Sequence, residues 1–399
     1  MIGNNNFEFL PNISSIFKTG NSDQYLWPVG CINVDSNNVL ALAWIMDKQS
    51  YTIVGNALIH IQSNGDYKDP NTWSQKKIYQ FPDIWTGSGS NGEKFLTDSI
   101  DNSNLQWICS PYKIPDSDEV YLIGTSRQYN YGLHYYLAKA NVNDLRDGDF
   151  SNVEFYTNVG FLKSISISTN ITSNKEIFLK TVVLMKNGDN KLYTSGTPSL
   201  RQNNDNTWQW YIPIIGFMEW NIQVMVSNPQ KNPDFPLDNQ WEQQNFLKVD
   251  TNYLYPNIES FSMYDPCFHD DLADSKNELI LTYNVNQSYF ATTAQPHLYD
   301  AWKNYYMPYI PTFVHKNTND TNDPTLHTSL NVSIHNCNNE KNKWAGGDGS
   351  CTCCLDENTS IILFSDTLTG LVKKGFVASQ RGIEKSGFQN NSFAIIKKK

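Results

Sequence analysis

The stretch Trp344-Ala-Gly-Gly-Asp348-Gly-Ser-Cys351-Thr-Cys-Cys-Leu355-Asp-Glu-Asn-Thr-Ser-Ile361-Ile-Leu-Phe364-Ser-Asp366-Thr367 reads as one β-hairpin. A polar turn at Asp356 to Asn358 separates two strand-like runs of similar length, and such a turn returns the chain antiparallel to itself. Asp348 starts the first run and Asp366 ends the second, so the hairpin brings two carboxylates together at its open end. The glycines before Asp348 let the backbone approach a ligand. Two adjacent carboxylates are the minimum equipment for glycoside hydrolysis. Asp is also a common turn former, so spacing alone leaves a purely structural reading open.

The same scheme recurs along the chain. An aromatic-rich segment enters a strand, turns on polar residues and returns as a strongly apolar strand. Leu26-Trp27-Pro28 to Val34 turns into Val39 to Trp44. Leu105-Gln-Trp107 to Pro111 turns into Glu119 to Gly124. Leu162 to Ser168 turns into Glu176 to Leu179. Tyr264-Asp265-Pro266 to His269 passes a longer turn into Glu278 to Leu281. The hairpin at 344–367 makes a fifth unit. Helical periodicity is weak throughout, so the expected class is all-β, a propeller or a sandwich. Five units in one domain of 399 residues favour a five-bladed β-propeller. Residues 316–342 are polar and read as a linker carrying a short edge strand at Leu330 to Ile334.

Composition narrows the partners. Aromatics make up 13% of the chain and charged residues 18%, which suits a β-rich core with stacking platforms for sugars. Net charge is −10 and the only basic run is Lys397-Lys-Lys, so nucleic acid is excluded as a partner. No apolar run reaches membrane-spanning length. The first residues lack a signal-peptide pattern, which on its own implies the cytosol. Seven cysteines cannot all pair, and Cys351-Thr-Cys353-Cys354 lacks zinc-ligand spacing, so they read as small buried residues. No cofactor and no metal is expected. An ion held by Asp265, His269, Asp270 and Asp271 is the weaker alternative to a solvated acidic turn.

At these residues the chain resembles a known family, five-bladed propellers related to bacterial endo-D-arabinanases. Trp344-Ala-Gly-Gly-Asp348-Gly and Phe364-Ser-Asp366-Thr367 are similar to that family's Gly-Gly-Asp-Gly and Phe-Gly-Asp-Thr. Asn391-Ser392, Leu26-Trp27-Pro28, Val120 to Gly124, Tyr136 to Ala140, Tyr264-Asp265-Pro266, Leu281 to Asn286 and Tyr309 to Phe313 resemble further segments, together covering most of the chain. The order is permuted, with the family's opening hairpin at the C-terminus here. Ser365 replaces its usual Gly, and Asp265 stands where its His is expected. The resemblance implies that Asp348 and Asp366 are a catalytic pair at one mouth of the central channel. It also implies a glycan or polysaccharide substrate, an extracellular or lumenal location, and Trp27, Trp107, Asn391, Asp265 and His269 as sugar-binding candidates. Core packing between blades is the competing role for Trp27 and Trp107. Asp366, following an apolar run, is expected to have the raised pKa and to act as the acid. Neighbouring strands lie about 5 Å apart, which favours a retaining pair. A glycan-binding propeller without turnover, or an interaction scaffold, are the alternatives.

Overall fold

The computed structural model describes residues 7–50, 52–81, 105–106, 111–128, 132–163, 179–185, 193–216, 221–237, 241–248, 261–287, 311–320, 322–337, 341–372 and 383–399. Five antiparallel sheets follow one another around a ring. Blade I pairs Gln24–Asp35, Asn38–Asp47, Ile53–Ser63 and Trp73–Gln80 in chain order. Blade II is built on Glu119–Gln128 and Gly132–Asn141, with Tyr112–Lys113 on its inner side and Glu154–Thr157 and Gly160–Lys163 on its outer side. Blade III pairs Trp208–Gly216, Asn221–Ser227 and Trp241–Lys248, with Ser199–Gln202 inside. Blade IV runs Phe261–Phe268, Glu278–Gln287, Thr312–Asn317 and Thr325–Leu326. Blade V joins Cys351–Asp356, Thr359–Phe364 and Ser392–Lys398 to the N-terminal strand Phe7–Asn12.

The apolar runs explain why these sheets stack as a ring. In Asn38–Asp47, Val39, Ala41 and Ala43 pack toward blade V, whereas Leu40 and Leu42 pack toward blade II. In Thr359–Phe364, Ile361 and Leu363 face blade I while Ile362 and Phe364 face blade IV. A strand buried on both faces needs apolar side chains at every position, so its period-2 alternation disappears. Trp210 and Ile212 meet Ile123 and Tyr135 between blades II and III, and Ile222 and Val224 meet Phe268 and Leu281 between III and IV. Five such interfaces close the circle, so the chain is a five-bladed β-propeller.

Closure is made by the two ends of the chain. Phe7–Asn12 pairs antiparallel with Ser392–Lys398 in unbroken register from Phe7↔Lys398 to Asn12↔Phe393. Phe9 then packs edge-on against Trp344 and Phe364, with ring centroids 5.2 and 6.1 Å away.

Two expectations are corrected. The unit read from Leu162 to Leu179 joins blade II at its described ends, Leu162, Lys163 and Leu179. Gly160–Lys163 is the outer edge of blade II, and residues 164–178 lie outside the described residues. The remaining blade is Tyr193 to Lys248, hidden by Pro213 inside its main strand and by the polar outer strand Trp241–Lys248. Likewise Leu330 to Ile334 is not an edge strand but part of a helix, Thr328–Asn336. Its apolar positions 330, 332 and 334 fit period 2, but Leu330 and Ile334 also satisfy the i, i+4 spacing. Both bury against blades IV and V.

The closing strand belongs to the cooperative core, so Phe9→Ala should cost about 3–5 kcal/mol of unfolding free energy. Urea denaturation checks this, with the exposed Val54→Ala as a near-silent control. A loss below about 1 kcal/mol would mean that the ring is stable without its closing strand.

Candidate active site

The hairpin register places the two carboxylates. Cys351↔Leu363 in blade V and Gly347↔Thr367 in a separate small sheet flank a corner at which backbone hydrogen bonds set Asp348 beside Asp366. The pair sits where the chain leaves blade V for a small sheet of Trp344–Gly347, Thr367–Val372 and Ile383–Gln389. Asp348 N–H donates to Asp366 O at 2.9 Å, Ser365 N–H to Asp348 O at 2.7 Å, and Asp366 N–H to Asp348 Oδ1 at 2.8 Å. The last bond draws the Asp348 side chain onto its partner's backbone. Asp348 is buried and Asp366 partly so.

Between them the chain turns through Gly349 at φ +58°. A side chain there would overlap Ser365 and lie 3.2 Å from Trp27 Nε1, so only glycine fits. Ser365 is fully buried, and its hydroxyl donates to Pro28 O at 2.9 Å, tying the corner to blade I. Ser365 therefore braces the corner.

Asp265 joins this pair from blade IV. The ladder shifts by one residue between Tyr264 and Cys267, forming a bulge at Asp265-Pro266. Asp265 takes φ +49°, a left-handed value uncommon for a non-glycine residue. Such strain costs on the order of 1–3 kcal/mol and persists where surrounding packing enforces it. Here Gly196 of blade III lies against the Pro266 carbonyl, where any side chain would collide. Asp265 lines one small cleft, about 30 Å³, with Trp27, Trp44, Ser195, Gly196, Cys267 and Gly349.

Charge binds the three acids into one system. Burial, then the charge of Asp348, raises the Asp366 pKa to about 7. Burial, then Asp348 and Asp366, raises Asp265 to about 8. Neighbouring, partly desolvated carboxyl groups resist ionising together, so protons remain on Asp265 and Asp366 up to about neutral pH. The expected raised group, Asp366, is raised, but Asp265 is raised further and was anticipated only as a sugar-binding residue. Its bulge and left-handed backbone leave no mark in the sequence.

The remaining candidates scatter. Trp27 borders the cleft. Trp107 lies outside the described residues. Asn391 is a brace: its Oδ1 accepts from Ser15 Oγ and Phe17 N–H at 2.9 and 3.2 Å, and its Nδ2 donates to Phe17 O and Leu26 O. The amide has no bond left for a sugar. His269 is also structural, fully buried with Nδ1 2.8 Å from Thr352 Oγ1 and Nε2 2.6 Å from Thr282 Oγ1. Burial lowers its pKa to about 3 and keeps it neutral. Asp270 is held by Arg201 at 2.8 Å and Tyr112 at 2.6 Å, and Asp271 by Thr352. These groups brace the far end of the channel, where a larger cavity of about 400 Å³ is lined by Tyr112, Arg201, Asp270 and Cys353. They do not converge on a common ion.

No family model matches the chain, and no curated protein matches it either. Solved structures of similar shape include a protein of unknown function from Dyadobacter fermentans, at TM-score 0.44 and 9% identity, covering 98% of each chain. A GH43_1 enzyme from Xanthomonas citri aligns at TM-score 0.41 and 7% identity over 96% of this chain and 89% of its own. An α-L-arabinofuranosidase from Clostridium thermocellum aligns at 0.37 and 8%, over 93% and 96%. No helix among the described residues is long and apolar enough to cross a membrane.

The raised Asp265 makes a stability prediction. Its folded pKa lies above its unfolded value, so the native state binds more protons between about pH 4 and 8. Stability therefore falls as pH rises through that window. Asp265→Asn should raise Tm relative to the parent at pH 8–9 and leave it nearly unchanged at pH 4. Equal Tm differences at both pH values would contradict the buried acid.

Proposed function

We propose that the protein is a glycoside hydrolase acting on a glycan or polysaccharide, with Asp366 as general acid and Asp348 as nucleophile or base. The observation that supports this reading is the hydrogen bonding that sets Asp348 beside Asp366, with Asp366 raised to about 7. Environments that separate the pKa values of neighbouring acids are what acid–base glycosidase chemistry requires. The acid protonates the departing glycosidic oxygen while the ionised partner attacks the anomeric carbon or activates water. That adjacency favours the closer spacing of a retaining pair. Asp265 stores a proton beside them and replaces the His of the endo-D-arabinanase-like family. The substrate class is a glycan such as a furanoside, and the Asp265 difference bears on which sugar is taken. The cleft floor is too small for a sugar ring, so the ring lies over it, against Trp27.

The permuted order that the resemblance implies is one a ring can accommodate. In blade V the chain ends fall between its outermost strand and the strand beside it, so the family's opening hairpin comes last without any change in neighbours. A ring tolerates any cut point that leaves each interface intact.

The test is turnover. Arabinans, galactans and host-type glycans are incubated with parent, Asp348→Asn and Asp366→Asn proteins, and products are read by mass spectrometry. The parent should release sugar, with kcat/KM falling above about pH 7 as Asp366 ionises. Asp366→Asn should lose about 10²–10⁴-fold on native glycans. It should recover on an aryl glycoside whose leaving group needs no proton, now without the fall above pH 7. Glycan binding with no product from any substrate, and equal affinity in both Asn variants, would replace the hydrolase by a glycan-binding propeller.

A further inference from the structure

Blade IV carries three metal-ligating side chains that neither the carboxylate cleft nor the ring closure uses. Glu278 opens the strand Glu278–Gln287. His315 lies across from Ile280 on the next strand, and Thr325 across from His315 on the outermost one. Side chains repeat every two residues along a strand, so Glu278, Ile280, His315 and Thr325 share one face. His327, two residues past Thr325, continues the row as the cap of helix Thr328–Asn336. The sheet therefore sets Glu278, His315 and His327 diagonally across three adjacent strands. One ligating atom from each lies within 4.8 Å of the others.

We propose that Glu278, His315 and His327 bind a divalent transition-metal ion, zinc in preference to calcium or magnesium, and that this ion clips the seam where the ring closes. Two imidazole nitrogens and one carboxylate oxygen match zinc, whereas calcium and magnesium require oxygen ligands. A water completes four-coordination on the open side, where the His315 side chain is 38% exposed.

The contacts suit an ion. His315 Nδ1 lies 2.7 Å from Glu278 Oε1, a hydrogen bond shorter than the separation of two ligands of one zinc ion. The entering ion takes that position, and the proton moves to His315 Nε2 or to solvent. The backbone N–H of Leu330 reaches His327 Nδ1 only at 3.4 Å, a weak cap that coordination can replace. Asp274 N–H, donating to Glu278 Oε2 at 2.7 Å, fixes the carboxylate from behind.

The position gives the ion a purpose. His327 meets Phe7 edge-on at 5.6 Å, and Ser333 Oγ of the same helix donates to Phe7 O at 2.8 Å. Phe7 begins the closing strand, so an ion on His327 anchors the outer edge of blade IV beside the terminal ladder.

The full-length chain, stripped with a chelator, is titrated with Zn²⁺ by calorimetry and with Co²⁺ by visible absorption. One ion should bind with a micromolar or lower Kd. The cobalt form should show four-coordinate ligand-field bands without thiolate charge-transfer absorption. His315→Ala, at a half-exposed position, and Glu278→Gln should each weaken binding by roughly 100-fold or more. Zn²⁺ should raise Tm by mass action and slow amide exchange in residues 7–12 of the parent but not of His315→Ala. Binding no tighter than millimolar, affinity unchanged in both variants, or strong thiolate-to-cobalt absorption would overturn the site. Tight binding with unchanged exchange in residues 7–12 would overturn the clip.

Discussion

The ladder between Phe7–Asn12 and Ser392–Lys398 is the constraint on which everything else rests. An open stack of five sheets would leave two apolar faces wet and two strand edges unpaired. Closing the ring buries both faces, and it does so with the two segments most remote in sequence. The last step of assembly therefore carries the largest loop-closure cost, offset only when Phe7 and Phe9 enter the seam between blades IV and V. A ring closed in this way is stiff, because no blade can tilt without opening two interfaces.

That stiffness holds the carboxylate cleft in a conformation the local chain would not choose. Asp265 sits in a left-handed bulge, and Gly349 turns where no other residue fits. Asp348 and Asp366 share a corner in which burial and the Asp348 charge raise Asp366. Each feature costs stability locally, and each is pinned from a neighbouring blade: Gly196 against Pro266, Ser365 against Pro28. The inner strands run in the same direction along the channel. Trp27, Asp265 and Gly349 therefore gather at one mouth, while residues a few positions later, Ile32, Phe268 and Thr352, line the other cavity. A parallel set of inner strands converts similar positions in different blades into one site.

The same logic shows what the sequence could reveal. Strands sandwiched between blades lose their alternation and stand out as apolar runs such as Ile361-Ile-Leu-Phe364. The hairpin register then followed from turn position alone, which is why Asp348 and Asp366 could be paired before any coordinates. Blade III was illegible because Pro213 interrupts its main strand and Gln243, Gln244 and Asn245 make its outer strand polar. Asn391 and His269 are hard to read from sequence for a different reason. A polar residue bound to backbone or hydroxyl groups in the core looks, in sequence, like one aimed at a ligand. Only the hydrogen-bond count separates the two, and both residues spend every donor and acceptor internally.

Asp265 marks the limit of reading by residue type. As a side chain beside a proline it suggests a turn, and as a replacement for His it suggests altered sugar contacts. Its effect comes instead from position. An acid placed in a dry cleft beside two others cannot add a third charge, so it adds a proton reservoir. A His in that place would become cationic and draw its neighbours toward the ionised state. Burial and the Asp348 charge raise Asp366 to about 7, and Asp265, itself raised to about 8, stays neutral beside it near neutral pH. The protonation of Asp265 is thus set by acids that another blade supplies, and the fold need not move for it.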